Sequence, residues 1–393
     1  MALCGGAGLG LAVAYLLSLL VAAAVKSRRP SPPAVPGEPL RLLVIVPAHD
    51  EEAVIKETLS SIAAVDYPPE RVETIVVADN CNDRTAELAQ GMGATVLERR
   101  DPSRPGKGHA LRWALDRLQN ERPDADGVVL VDADCQPTAN LLTTLDARLR
   151  GGAEAVQANY VVANPDASTS AGLRFIGFAL VNTIRPLGKS ALGFSSGLFG
   201  TGMAFTRRFL DRQPWEAFSL VEDQEFHLRL VENGGHVEFA PEAAVSSPMP
   251  IAAGANESQQ LRWEGGRGAL VRRFVPRLAA KGLRKRDAEQ LHAALELLVP
   301  PQSLLAAGNL GALAVSLAGR DRAGVVVSAA NLLGQAVFVL GGLALIRAPS
   351  EAYKALTGTP RLILQKIRIY AKVLSGRGPR RWIRTERPSD APP

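Results

Sequence analysis

Gly127-Val128-Val129-Leu130-Val131-Asp132-Ala133-Asp134 is a short aliphatic run that stops abruptly at two carboxylates. Four to eight continuous apolar residues between polar flanks read as a buried strand. Along an extended segment side chains alternate, so Asp132 and Asp134 point the same way. Paired carboxylates suit a hard divalent cation, Mg²⁺ or Mn²⁺, with ligand positions left for phosphate oxygens and water. Alone, Asp-x-Asp reads equally well as a cap or a turn, so the flanking sequence has to decide. Upstream the same grammar repeats. Leu42–Val46 ends in Pro47-Ala48-His49-Asp50-Glu51-Glu52, and a helical stretch follows to Ala64. Val72–Ala78 ends at Asp79-Asn80, followed by a helix from Asp83 to Gln90. Ala94–Leu97 is a short third strand, and a helix over Lys107–Gln119 leads back to Gly127–Val131. Apolar strands alternating with helices predict an α/β domain with a mostly parallel sheet covered on both faces. Ligands of such sheets bind beyond the carboxyl ends of the strands, where these acids gather.

Between the third strand and the next helix lies Arg99-Arg100-Asp101-Pro102-Ser103-Arg104-Pro105-Gly106-Lys107-Gly108. Glycines flanking a lysine at a helix start let backbone and ammonium approach a diphosphate. The spacing is not that of a Walker A loop. No Gly-x-Gly-x-x-Gly follows the first strand, which argues against a dinucleotide enzyme.

Three charge-free apolar stretches, Ala2–Val25, Leu297–Ala318 and Ala323–Ile346, have the length of a membrane-crossing helix. Lys26, Arg28 and Arg29 follow the first stretch instead of preceding it, which predicts a retained anchor with its N-terminus outside. Only Gly319-Arg320-Asp321-Arg322 separates the other two, a hairpin spacing. Leu297–Ala318 holds Pro300, Pro301, Gln302 and Asn309, so lying in the interface or re-entering is an alternative for it. Three crossings place residues 26–296 and the C-terminal tail on the cytoplasmic side. The chain carries a net charge of +6, but residues 354–387 alone hold ten basic side chains against one acid, Glu386. Tyr353–Leu374 interleaves apolar and cationic positions as an amphipathic helix on a membrane surface does, so anionic membrane lipid is an expected partner and nucleic acid is not. Cys4, Cys81 and Cys135 are too dispersed for a zinc site or a disulfide framework. Residues 30–39 contain five prolines and form a stiff linker.

Seven motifs in order complete the reading: Pro47-Ala48-His49-Asp50-Glu51-Glu52, Asp79-Asn80, Gly106-Lys107-Gly108, Asp132-Ala133-Asp134, Gly200-Thr201-Gly202, Glu222-Asp223, and Gln259-Gln260-Leu261-Arg262-Trp263. Over residues 41–270 the chain resembles the membrane-bound family 2 glycosyltransferases of the GT-A fold. The resemblance implies that Pro47, His49 and Glu51 line the nucleotide pocket and that Asp79 accepts a bond from a uracil ring. It implies that Asp132 contacts the ribose and diphosphate, that Lys107 neighbours the diphosphate, and that Asp134 ligates the metal. Asp223 becomes the general base. Gly200, Thr201, Gly202, Glu222, Gln259, Arg262 and Trp263 fall on the acceptor and diphosphate side. Two departures stand out. Asp79-Asn80 replaces the usual Asp-Asp, and Val221-Glu222-Asp223 replaces the Thr-Glu-Asp of processive synthases.

Each role has a plainer alternative. Asp223 opens a helix and serves as an N-cap there. Gln259, Arg262 and Trp263 stand at i, i+3 and i+4 on one helix face, as a site helix or as a snorkelling interfacial helix ahead of a basic run. The expected organisation is a transmembrane anchor (1–25), linker (26–40), GT-A domain (41–270), basic interfacial helices (271–296), transmembrane hairpin (297–346) and basic tail (347–393). The expected activity is inverting, metal-dependent transfer from a nucleotide sugar, probed first with UDP donors, to a lipid-linked or saccharide acceptor at a bacterial-type inner membrane. A homodimer is compatible with this reading. The alternatives are a processive polysaccharide synthase, a polyprenyl-phosphate sugar synthase and a catalytically silent membrane scaffold.

Overall fold

The computed structural model describes residues 2–28, 35–249 and 253–375. In chain order the elements are α1 (Ala2–Lys26), β1 (Leu42–Ala48), α2 (Ile55–Ala63), β2 (Val72–Asp79), α3 (Thr85–Gly91), β3 (Thr95–Arg99), α4 (Lys107–Glu121), β4 (Gly127–Leu130), β5 (Gln136–Pro137), α5 (Leu141–Arg150) and β6 (Ala155–Val162). There follow α6 (Thr169–Phe178), α7 (Arg185–Ala191), β7 (Met203–Thr206), α8 (Arg207–Arg212), α9 (Glu222–Glu232), β8 (Val237–Ser247), α10 (Ala253–Lys285), α11 (Ala288–Leu298), α12 (Gln302–Ala318), α13 (Arg322–Leu345), α14 (Ser350–Ala355) and α15 (Thr359–Leu374). The described residues divide into two units, one of residues 35–163, 195–249 and 253–267, the other of residues 2–28, 164–194 and 268–375. Residues 164–194 lie inside the stretch 41–270 in sequence, yet fold with the helical unit. The predicted tail beyond residue 375 and residues 29–34 of the proline linker lie outside the described residues.

The first unit is built on one eight-stranded sheet, ordered β3-β2-β1-β4-β7-β6-β8-β5. The four N-terminal strands run parallel, as their apolar runs predict: β1 pairs β2 and β4, and β2 pairs β3. The sheet is mostly parallel, as expected, but its other half brings in two reversed strands, β7 and β5. β7 is antiparallel to both β4 and β6, β5 is antiparallel to β8, and only β6 and β8 add another parallel pair. The mixed sheet has a functional consequence. Because β7 runs against β4, the chain segment entering β7 meets the segment leaving β4, and Gly200-Thr201-Gly202 lands beside Asp132. Leu42, Val44, Val46, Val76, Val129, Val156 and Ala204 are buried along the sheet's core face.

A second cluster, of aromatic rings, fixes α9. Trp215 stacks on Phe226 at 4.3 Å between centroids, and Phe205 meets Phe226 edge-on at 5.6 Å. Trp215, Phe205 and Phe226 are fully buried. Removing a ring such as Phe226 costs roughly 3–5 kcal/mol, so this cluster anchors the helix whose first residues carry Glu222 and Asp223.

In the helical unit α1 and α13 are long and apolar enough to cross a membrane. The predicted span Leu297–Ala318 is not one straight helix. Val299 precedes Pro300-Pro301 and is extended (φ −67°, ψ 116°), because proline disfavours the α region for the residue before it. The chain therefore breaks between α11 and α12 with a 65° bend. Contacts along the helices fix their directions. Gly10 of α1 lies against Asn331, Gly334 against Val13, and Gly341 against Leu20, so α1 and α13 run parallel. Gln335 donates to Gln302 and Asn331 to Asn309, so α12 runs antiparallel to α13. The C-terminal ends of α1 and α13 therefore lie at the same end of this bundle. The small residues at these crossings let backbones approach closely, as apolar bundles require. The four strongly polar side chains of the sequence's hairpin, Gln302, Asn309, Asn331 and Gln335, bond to one another, and Asn331 also reaches Gly6 O at 3.0 Å.

Between α6 and α7 the helix loosens into a π-helical turn over Ala179–Ile184, ahead of Pro186. Arg185 and Lys189 then project from α7 onto Glu296 of α11, each 2.9 Å from a separate carboxylate oxygen. The amphipathic C-terminal stretch is divided as well, into α14, one 3₁₀ turn and α15. On α15, Ile369 is buried while Leu364 and Ile367 are exposed.

Candidate active site

The carboxyl ends of β1, β2 and β4 share one edge of the sheet because the three strands are parallel neighbours. At the β1 tip, Pro47 still pairs with Val77, and His49 Nδ1 donates to Asp79 O at 2.6 Å, tying the first two tips together. Asp50 and Asn80 turn the chain with left-handed backbones (φ 54° and 52°), a conformation that Asp and Asn tolerate better than most residues. The Glu51 N–H donates to Thr85 Oγ1 at 2.7 Å.

Asp79 is buried, and its carboxylate accepts from Arg99 Nη1 at 2.5 Å and from Asn80 Nδ2 at 3.0 Å. Arg99 is equally buried and also reaches Asp101 Oδ2 and Arg104 O. Sequence reasoning missed Arg99. Its only signal was a basic residue ending a strand next to the one that ends at Asp79.

The acidic centre forms around Lys107 at the start of α4. Its Nζ lies 2.5 Å from Asp132 Oδ1, donates to Gly200 O at 2.7 Å and is 3.8 Å from Glu222 Oε1. Gly200 has φ +88°, and a Cβ there would sit 3.5 Å from both Lys107 Nζ and Asp223 Oδ2 and 3.9 Å from Asp132 Oδ2. The glycine thus keeps open a cradle walled by a cation and two carboxylates. Thr201 Oγ1 accepts from the Asp132 N–H at 3.1 Å, and the Gly202 N–H donates to Leu130 O at 2.8 Å. Gln157, fully buried on β6, fastens this loop by donating to Thr201 O and accepting from the Phe199 N–H. Gln157 was also missed, since a single glutamine in a strand carries no motif.

Asp132, Asp134 and Cys135 bring one ligand atom each to within 4.8 Å of one another, a geometry able to hold a cation. The donor set is mainly hard oxygen, which fits Mg²⁺ or Mn²⁺. Burial raises the Cys135 thiol above its ordinary pKa. Burial also pushes Asp132 up to about 6, against the pull of Lys107 and with the help of Asp134's charge.

Glu222 and Asp223 open α9, where the helix dipole favours negative charge. Asp223 accepts from the Gln224 N–H at 2.8 Å. Burial first, and then the charge of Glu222, raise its pKa to about 7. Glu225, one turn into the helix, accepts from the Phe218 and Ser219 N–H groups and pairs with Arg229, which holds the incoming loop on the helix. Arg262 on α10 is close enough to Glu222, Asp223 and Asp132 to feel their charge, while burial lowers its own pKa. Gly266 lets α10 close on Val221, the residue before Glu222. Trp263 is half-buried on the same helix, and the side chain of Gln259 lies outside the described residues.

A parallel half-sheet whose tips carry acids, joined to an antiparallel strand preceded by Gly-Thr-Gly, is the architecture of a GT-A-type nucleotide-sugar-binding fold. The family model described as "Glycosyltransferase like family 2" matches residues 39–266. The chain belongs to the family 2 glycosyltransferases. It is 27% identical over 246 residues to the probable glycosyltransferase YdaM of Bacillus subtilis, covering 60% of this chain and 57% of that protein. It is 28% identical over 231 residues to the beta-monoglucosyldiacylglycerol synthase of Trichormus variabilis, covering 57% of this chain and 48% of that protein. The chain thus spans about half the length of the curated relatives it matches. Among solved structures, the mannosyltransferase PcManGT from Pyrobaculum calidifontis, in complex with GDP-Man and Mn²⁺, superposes with a TM-score of 0.57 at 20% identity. That match covers 88% of this chain and 98% of the other, and shows a shared fold.

Proposed function

We propose that this chain is an inverting, metal-dependent hexosyltransferase that moves a sugar from a nucleotide donor to a lipid-linked or saccharide acceptor at the cytoplasmic face of a membrane. The observation that carries the proposal is the convergence of Lys107, Asp132, Gly200 and Asp223 on one cradle at the carboxyl edge of the sheet. In this reading Asp79, fixed in place by Arg99, accepts a base N–H; both uracil and guanine present one. His49 and Glu51 line the same pocket, and Asp132 and Asp134 hold the divalent cation. When bound, such a cation neutralises charge developing on a departing diphosphate. Asp223 takes the proton of the acceptor hydroxyl as its oxygen bonds to the anomeric carbon. The bond from that carbon to the diphosphate oxygen breaks on the opposite side, so one displacement inverts the configuration. A base whose pKa lies near the working pH is well matched to this task. Glu222 supports it by raising the basicity of Asp223, and Arg262 brings positive charge to the diphosphate side.

The relatives' names are in keeping with hexose transfer, and one of them makes a glycolipid. The parallel directions of α1 and α13 support placing the linker and the tail on one side of the membrane, and the exposed Leu364 and Ile367 of α15 support contact with anionic lipid. The amides of the bundle pair across the helices, Asn331 with Asn309 and Gln335 with Gln302, which favours addition of one or a few sugars over export of a long polymer through this unit. The test is nucleotide release. Full-length protein in detergent is given UDP- and GDP-hexoses with MnCl₂, with and without a lipid extract. Metal-dependent release that rises with acceptor supports the reading. No release from any donor sinks it.

A further inference from the structure

Lys107 is set deeper in the acidic centre than contact with a diphosphate alone would need. Its side chain is 18% exposed, and its three partners come from three separate places: the β4 tip, the loop before β7 and the start of α9. One ammonium therefore holds together Asp132, Gly200 and Glu222. Asp132 is also one of the carboxylates whose ligand atoms cluster with Asp134. A cation held by that pair has Lys107 as a positive neighbour on a shared carboxylate.

We propose that Lys107 is the built-in counter-ion of this centre: it competes with the divalent cation for Asp132, and a nucleotide diphosphate relieves the competition by drawing the ammonium away. The inference rests on the assignment of Asp132 and Asp134 to a metal. Three features of the chain support it. The start of α4 packs closely on the loop before α9, since a Cβ on the adjacent Gly108 would stand 2.1 Å from Ala217 O, and the Lys107 side chain can turn without moving that backbone. A lysine suits that exchange, being a compact charge on a flexible stem where arginine would be a rigid fork. The centre is also acid-rich, with Asp134, Glu222 and Asp223 gathered beside Asp132, so it can take up positive charge when the ammonium turns to the diphosphate. Metal and nucleotide then bind with positive coupling, and linkage makes that coupling reciprocal.

The experiment measures Mn²⁺ binding, not turnover. Full-length protein in detergent is titrated with MnCl₂ while free Mn²⁺ is followed by electron paramagnetic resonance, alone and with saturating UDP or GDP. The wild type should bind MnCl₂ alone weakly and gain on the order of tenfold in affinity with nucleotide. Lys107→Met should bind MnCl₂ alone about tenfold more tightly than wild type and lose most of the nucleotide gain. Lys107→Gln, which keeps a donor for Gly200 O, should behave like Lys107→Met and guards against a folding defect in the first variant. Lys107→Arg, which keeps the charge, should retain weak binding of metal alone. Unchanged Mn²⁺ affinity in both neutral variants overturns the counter-ion role and leaves the metal assignment standing. Failure of wild type and variants to bind Mn²⁺ even with nucleotide overturns both.

Discussion

At the edge of the sheet, Asp132, Asp134, Glu222 and Asp223 gather around Lys107 and Arg262; in the helical unit, Glu296 sits between Arg185 and Lys189. Both are sets of charges withdrawn from water, and they are balanced in opposite senses. Each oxygen of Glu296 has its own cation at 2.9 Å, which completes the carboxylate's pairing. At the sheet edge Lys107 serves two carboxylates, and Asp223 is left with a raised pKa. A saturated cluster holds helices together, whereas one short of positive charge is arranged to receive it from outside. Excess negative charge in a buried place costs stability, and functional sites are where such costs persist.

The contrast can be broken first at the sheet edge. Asp134→Ala should abolish metal-dependent nucleotide release while leaving the melting temperature near that of wild type, since no packed side chain is lost. Retained turnover with unchanged metal dependence would remove Asp134 from the metal site. Asp223→Asn should slow transfer by roughly 10²–10⁴ with nucleotide binding little changed. Isothermal titration with UDP and GDP separates the two effects, and an equal loss of binding would take Asp223 out of the base role.

In the helical unit the sign reverses. Glu296→Gln removes the shared anion and strands two cations, so it should destabilise the unit by about 3–5 kcal/mol, read as a lower melting temperature in detergent. The same substitution at Asp223 should stabilise the protein. A carboxylate with a raised folded pKa binds its proton more tightly when folded, so its contribution to stability falls as pH rises from about 4 through about 7. Chelator-treated Asp223→Asn should therefore melt higher than wild type at pH 8, with the gap closing at pH 5. Wild-type transfer runs the other way, since kcat/KM should rise with pH through about 7 as Asp223 ionises. The smallest effect is expected at Asn331→Leu, which removes two interhelical bonds, to Asn309 and to Gly6 O, at a cost of about 1–2 kcal/mol.

The two regions also differ in how far they can be read from sequence. The strand tips were legible because each is an apolar run ending in acids, and β1, β2 and β4 fall within a residue or two of their expected ends. The second half of the sheet was not, because strand direction is set by long-range pairing and β7 is only four residues long. Arg99 and Gln157 escaped for a related reason. Each is a polar strand residue outside any motif, and its importance appears only when the fold brings Asp79 or the Phe199–Thr201 loop beside it. In the helical unit, apolar length announced α1 and α13, and Pro300-Pro301 announced the break in the second span. The pairing of Arg185 and Lys189 with Glu296 joins residues over a hundred positions apart, and local pattern says nothing of it.

The central claim is that Asp223 drives a single displacement at the anomeric carbon. The anomeric configuration of the product tests it most directly, read by proton NMR after transfer from an α-linked nucleotide sugar with Mn²⁺ present. A β-linked product from wild type and none from Asp223→Asn is the predicted result. An α-linked product, or a β-linked one formed equally well without the Asp223 carboxylate, would contradict the account.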